Sequence, residues 1–179
     1  MQKGKLIGQG RTAEIYEWGK NQVLKLYRNG FPKVAIDNEY RIGLELWKRG
    51  LLVPKVASFV EIDQRFGIVY ERINGRTMMA HLSSKPWKIV DEAKKLAELH
   101  RAIQITVSAE MPSQKARLKQ CITDSELLSD NIKIRLLENI GNLPDSNTLC
   151  HGDFHPDNII KGGSRLAPPH STLEVLPQS

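Results

Sequence analysis

The hydrophobic period of this chain is two over most of residues 4 to 73, with one helical stretch set between the strands, and 3.6 from about Lys85 onward, and that division limits what it can fold into. In residues 4 to 28 apolar positions alternate: LIGQGRTA, AEIYEW and NQVLKLYR read as strand, glycine turn, strand, short turn, strand, with Val23, Lys25 and Tyr27 on one side and Leu24 and Leu26 on the other. From Pro32 to about Arg49 the spacing of Ile36, Tyr40, Leu44 and Trp47 predicts a helix with one apolar face, which Gly50 ends in a left-handed conformation. VASFVEID and RFGIVYER then predict a hairpin turning near Asp63 and Gln64, and Asn74 with Gly75 breaks the pattern. Short connections make this an antiparallel five-stranded sheet with one helix over residues 1–73, its core including Ile36, Tyr40, Leu44, Ile68 and Tyr70.

From about Lys85 the period is helical. A helix from Trp87 to about Ile103 sets Ile89, Ala93, Leu96, His100 and Ile103 on one side, with further helices expected at 114–122 and 126–140. Gly141 and Pro144 close the last one, and the polar stretch NTLCHGDFHPDN runs into Ile159 and Ile160. Residues 162–179, with three prolines and no period, read as an irregular or disordered tail. The expected class is α+β, divided into residues 1–73, 74–161 and a 162–179 tail, with no internal repeat.

Charge narrows the function. The net charge of +6 is lopsided: 13 basic and 8 acidic residues lie in 1–75, 13 and 12 in 76–179. The basic half favours anions, yet it holds neither a basic run nor interleaved aromatics, so a polyphosphate fits better than a nucleic acid. No apolar run approaches the roughly 18 residues of a membrane span, and MQKGKLIGQG, with no apolar core after its basic residues, is not expected to be a secretory signal. Two cysteines, Cys121 and Cys150, frame no disulfide scaffold, and Cys150 is expected to be a buried, inert thiol. A cytoplasmic setting with no membrane partner is expected.

Three signals carry chemistry. Gly8, Gly10 and Ala13 spell GxGxxA between two strands, where missing side chains let backbone amides approach phosphate oxygens; the same residues suit an ordinary hairpin turn. A strand after the glycines, where a helix would be needed, argues against a dinucleotide fingerprint. Lys25 stands at the centre of the third strand, and Glu39 borders the helix face that packs on the sheet, so an ion pair could hold the ammonium for phosphate oxygens. The third signal is HGDFHPDN at 151–158, containing HxDxxxxN, a spelling expected by chance in about one sequence in a hundred of this length. An aspartate held by such a loop can accept a hydroxyl proton, and the asparagine five residues on can offer a carbonyl oxygen to magnesium.

With these residues in this order, the chain resembles the aminoglycoside phosphotransferase and choline kinase family, a branch of the protein-kinase-like fold, over residues 4 to about 161. The resemblance implies a two-lobed fold and transfer of the γ-phosphate of ATP, with Mg2+, to a hydroxyl of a small-molecule acceptor such as an aminoglycoside, sugar or amino alcohol. It implies Asp153 as catalytic base, Asn158 as metal ligand, Lys25 as the phosphate-contacting lysine with Glu39 its partner, Gly8 and Gly10 as the glycine loop, and Glu71 to Ile73 as the hinge whose backbone meets adenine. LAELHRAI at 96–103 is similar to a family segment ahead of the catalytic loop, with His100 expected as a packed core histidine.

The family's second metal-binding aspartate, expected within about twenty residues of the loop, has no counterpart after Asp157; Glu174 is the only carboxylate there. The chain thus reads as a C-terminally truncated or frame-shifted member with an incomplete helical second lobe, and an inactive nucleotide-binding fragment is a rival expectation. A metal-dependent hydrolase is a lesser one, since His151, Asp153, His155 and Asp157 crowd four possible ligands together.

Overall fold

The computed structural model describes residues 3–105, 113–162 and 173–175. It forms two compact units, one of residues up to Ala102 together with those from His151 onward, the other from Ile103 to Cys150. In the first unit β1 (Leu6–Gln9), β2 (Ala13–Trp18) and β3 (Gln22–Tyr27) precede helix α1 (Lys33–Lys48), and β4 (Val56–Ile62) and β5 (Arg65–Glu71) follow it. All pairings are antiparallel, in the order β1-β2-β3-β5-β4, so the expected three strands, one helix and two strands are present. Asp63 and Gln64 turn the β4–β5 hairpin with φ of 51° and 61°, the left-handed pair a two-residue hairpin needs.

Helix α1 packs Ile36, with Tyr40 and Leu44 beside it, onto the sheet face carrying Ala13, Tyr27, Val56, Ile68 and Tyr70. The other face buries Trp18, Leu24, Leu26 and Val69. Both sides of β3 are therefore dry, and Lys25, on the α1 side, is only 2% exposed.

Beyond β5 a short strand β6 (Arg76–Thr77) leads into α2 (Met78–Ser84), which the sequence reading did not foresee. Thr77 caps it, its Oγ1 accepting the Ala80 N–H at 3.1 Å. A 3-10 turn at Pro86–Lys88 then opens α3 (Ile89–Ile103). Its inward face differs from the expected one: Ile89 is 61% exposed and His100 is exposed, while Glu92 and Leu99 are buried. An acidic residue turned inward by an ion pair rotates the buried stripe, and a hydrophobic pattern cannot count it as apolar. Strand β7 (Ile159–Lys161) pairs with β6 on one side and with β8 (Leu173–Val175) on the other. This corrects the irregular reading of residues 162–179 at β8, since β7 presents a strand edge that those three residues satisfy; 163–172 and 176–179 lie outside the described residues.

The second unit is a pair of helices, α4 (Gln114–Asp124) and α5 (Asp130–Asn142), the latter starting four residues later than expected. Lys133 bonds the Thr123 carbonyl at 3.0 Å, and Lys115 reaches the Leu143 carbonyl and Asp145 at 2.8 and 2.9 Å. Cys150 is exposed, contrary to expectation, because the segment after α5 runs as open loop. Among the described residues no helix is long and apolar enough to cross a membrane.

Gly75 is where β6 comes close to β7. A Cβ there would run into the Lys161 carbonyl oxygen and the Ile160 side chain, whereas one on Gly141, inside α5, meets nothing within 4 Å. Gly75→Ala is expected to destabilise by about 1–3 kcal/mol through overpacking. Gly141→Ala should stabilise by about 0.5–1 kcal/mol through the backbone entropy it removes. Urea unfolding of both variants checks the opposite signs.

Candidate active site

The antiparallel register builds one row across the sheet: Gly8 faces Ile15, Ile15 faces Lys25, Lys25 faces Ile68 and Ile68 faces Phe59. Two strand spacings of about 4.8 Å separate the glycine strand from Lys25. The β1–β2 turn is closed by the Gly10 N–H, which donates to the Ala13 carbonyl at 2.8 Å. A Cβ on Gly8 would touch only Ile15, at 3.7 Å, so the protein's own packing does not demand glycine there.

Lys25 Nζ donates to Glu39 Oε1 at 2.8 Å, the ion pair expected between β3 and α1, with side-chain exposures of 3% and 24%. Tyr70 Oη donates to the same oxygen at 2.8 Å. Tyr27 lies beneath, its ring centroid 5.2 Å from the ammonium, and among the described residues its buried hydroxyl has no hydrogen-bond partner. Burial pulls the Lys25 pKa below that of an ordinary lysine, and Glu39 only partly restores it. Burial first, and then the Glu39 charge, pushes both tyrosines above their usual range. The sequence places Tyr70 in the core but assigns neither tyrosine to this ion pair; only their positions on the Lys25 face of β3 and β5 could have signalled it.

In the Glu71 to Ile73 segment, expected to serve as the hinge, the Glu71 N–H donates to Lys55 O and the Arg72 N–H to Asn21 O, both at 2.9 Å. Arg72 also pairs with Glu17 at 2.9 Å. Ile73 follows directly, half-buried.

The loop that leads into β7 turns at Gly152, φ 82°. His151 Nδ1 accepts the Asp153 N–H at 3.3 Å, and His155 Nδ1 accepts the Asp157 N–H at the same distance, opening a 3-10 turn over Pro156–Asn158. Asn158 Nδ2 donates to Asp153 at its backbone oxygen, 2.9 Å, and at Oδ2, 3.2 Å, which turns the amide's own oxygen away from the carboxylate. Asp153 is half exposed, and His155 Nε2 stands 3.4 Å from its Oδ2. Phe154 anchors the loop on Met78, Leu99 and Ile159, and His100 is stacked on it at 4.9 Å. His100 is thus an exposed support for the loop and not a core residue; its aromatic partner comes from 54 positions away, beyond any local pattern.

Asp157 turns elsewhere, accepting from Thr77 Oγ1 at 3.5 Å. Among the described residues no three His, Cys, Asp or Glu side chains converge as metal ligands, so the crowding of His151, Asp153, His155 and Asp157 in sequence does not become a cluster in space. Sequence reading also missed Glu92. This carboxylate, 2% exposed, receives Lys161 Nζ at 2.6 Å and ties α3 to β7 three residues past Asn158, with Lys95 at 3.5 Å and His81 at 3.9 Å. Burial raises its pKa, but Lys161 and Lys95 outweigh that and hold it below the ordinary glutamate value.

A family model of the phosphotransferase enzyme family, APH, matches residues 3–167. The chain belongs to that family. Among solved structures, an aminoglycoside-3'-phosphotransferase of type VIII aligns with a TM-score of 0.54 at 22% identity, over 88% of this chain and 64% of that one. Rad53 1-466, solved in complex with AMP-PNP, aligns at 0.46 and 16%, over 96% of this chain and 36% of that one. The chain therefore spans a little under two thirds of the aminoglycoside phosphotransferase, and its α+β architecture is kinase-like. A comparison with curated proteins gave no match.

The Lys25 site has a signed pH dependence. Between its lowered folded pKa and the ordinary lysine value of 10.5, the unfolded chain binds the extra proton, so stability rises with pH. Above 10.0, unfolded Tyr27 and Tyr70 release protons that the folded chain keeps, and stability falls. Glu39→Gln should cost about 1–3 kcal/mol at neutral pH by removing the carboxylate beside a buried ammonium, and should extend the alkaline rise to lower pH. Urea unfolding across the alkaline range measures both.

Proposed function

We propose that this phosphotransferase moves the γ-phosphoryl group of ATP to a hydroxyl of a small molecule, an aminoglycoside, sugar or amino alcohol. The observation that carries this is the Asp153–Asn158 pair: one loop presents a half-exposed carboxylate that accepts from the Asn158 amide nitrogen, so that the amide's own oxygen is not spent on it. Asp153 accepts the acceptor's hydroxyl proton, and the loop hydrogen bonds from Asn158 keep its carboxylate aimed. The two side chains offer hard oxygen donors of the kind magnesium takes, and Asn158 would hold the ion; when bound, Mg2+ neutralises charge on the phosphates. Lys25, held by Glu39, would contact the α- and β-phosphate oxygens. Gly8, not needed for packing, leaves room for a phosphate against the β1 backbone. With the Glu71 and Arg72 N–H groups engaged, the donor that meets adenine falls to Ile73.

A second reading, nucleotide binding with little turnover, is favoured by Glu174. It is the only carboxylate after Asp157, and it sits on β8 opposite Ile160, two residues beyond Asn158.

Magnesium-dependent ATP consumption with a panel of hydroxyl acceptors separates the two. Asp153→Asn is expected to lower acceptor-dependent turnover by about a hundredfold to ten-thousandfold with the fold intact. Turnover that survives this substitution would remove Asp153 from the chemistry. Turnover of the unaltered chain that is lost in Glu174→Gln would give Glu174 the second metal position. Nucleotide binding without turnover under every acceptor would favour the second reading.

A further inference from the structure

The sheet face opposite α1 carries a charged group that the proposed chemistry leaves idle. Glu14, the second residue of β2, accepts from Arg65 Nη2 at 2.8 Å and from Tyr16 Oη at 3.0 Å, and stands 3.6 Å from Arg28 Nη1. Glu14 and Arg65 are each 18% exposed. Arg65 is fixed from below, because its Nε donates to the Tyr27 carbonyl at 2.7 Å and its Nη2 to that of Leu26 at 3.3 Å. Arg28, by contrast, has a side chain 44% exposed, and it reaches the turn: Nη2 donates to the Gly10 carbonyl at 3.2 Å, and its backbone N–H donates to Thr12 O at 2.9 Å. A line of contacts thus runs from the β3 carbonyls through Arg65, Glu14 and Arg28 to Gly10.

We propose that Glu14 is a positioning residue for the glycine turn, holding Arg28 over the Gly10 carbonyl so that the turn is already set when a polyphosphate arrives. The proposal rests on the reading of that turn as a phosphate site. An exposed arginine alone samples many rotamers, and restraining it requires a partner that is itself immobile. Glu14 is that partner because Arg65 and Tyr16 occupy it from the side away from Arg28. Their hydrogen bonds favour its charged form and keep its carboxyl below the usual glutamate range, so it is ionised at neutral pH. Arg28 adds positive charge beside the turn, and by drawing the Gly10 carbonyl into its own hydrogen bond it keeps that oxygen from repelling an anion.

Glu14 also lies beside Leu26 of the buried cluster, with which it pairs in register, and a purely structural role would predict a uniform loss of stability. Amide hydrogen exchange by NMR, together with binding of a fluorescent ATP analogue, tells the two apart. Glu14→Gln is expected to speed exchange at Gly10 and Arg28 by about tenfold while central β3 amides change little, and to weaken the analogue by about tenfold. Arg28→Gln, at an exposed side chain, should do the same and serves if Glu14→Gln does not fold. Glu17→Gln, which breaks the Glu17–Arg72 pair nearer the far end of β2, should leave the Gly10 amide unchanged. Unchanged exchange at Gly10 in both test variants would overturn the proposal. So would a uniform rise across all amides, or faster exchange with undiminished affinity for the analogue. If the unaltered chain does not bind the analogue, the phosphate-site reading fails, and the exchange rates still decide whether Glu14 holds the turn.

Discussion

The contact between Lys25 and Glu39 is the constraint that orders the first unit. An ammonium 2% exposed at the centre of a sheet demands a carboxylate, and the carboxylate must come from whatever packs on that face. It comes from α1, so the ion pair and the apolar stripe of Ile36, Tyr40 and Leu44 place the helix in the same position. Tyr70 shares the Glu39 oxygen from β5, adding a third element to the same point. Such a pair is weak evidence of stability, because desolvation offsets most of the Coulomb gain. What it supplies is a single allowed orientation for a charged side chain, two strands from Gly8, where a Cβ would meet only Ile15.

The loop at 151–158 rests on a second strand-lysine to helix-glutamate pair, Lys161 with Glu92. This one is less satisfied, since Glu92 Oε2 is buried with no hydrogen-bond partner among the described residues. A half-satisfied buried carboxylate costs free energy that apolar residues of the same shape would not, and sites that keep one are commonly functional. Its position suggests the use: β7 begins at the residue after Asn158, so the pair fixes the strand that carries the loop's end. With Phe154 seated on Met78, Leu99 and Ile159, the loop is held at both sides while Asp153 stays open to solvent.

Much of this was legible because the signals were local. Alternation along β2, β3 and β5, the helical stripe of α1 and the turn residues Asp63, Gln64 and Gly50 each follow from backbone geometry over a few residues. The spelling of HGDFHPDN encodes its own geometry too, since residues two and five apart supply the His151–Asp153, His155–Asp157 and Asn158–Asp153 hydrogen bonds. The face of α3 was misread for a definable reason: Glu92 is inside, and its shortest ion pair is with Lys161, 69 residues away.

Sequence by itself determined the α+β order, the antiparallel first sheet, the Lys25–Glu39 pairing and the loop that bears Asp153 and Asn158, since period, turn chemistry and motif spacing are properties of neighbours along the chain. Tertiary structure alone decided that Tyr70 shares Glu39, that His100 supports Phe154, that Glu14 links Arg65 to Arg28, that β8 pairs with β7, and that the four residues His151, Asp153, His155 and Asp157 do not converge. Those outcomes depend on which distant groups burial brings within hydrogen-bond reach, and a polar side chain's partner is chosen by what the packed backbone leaves beside it.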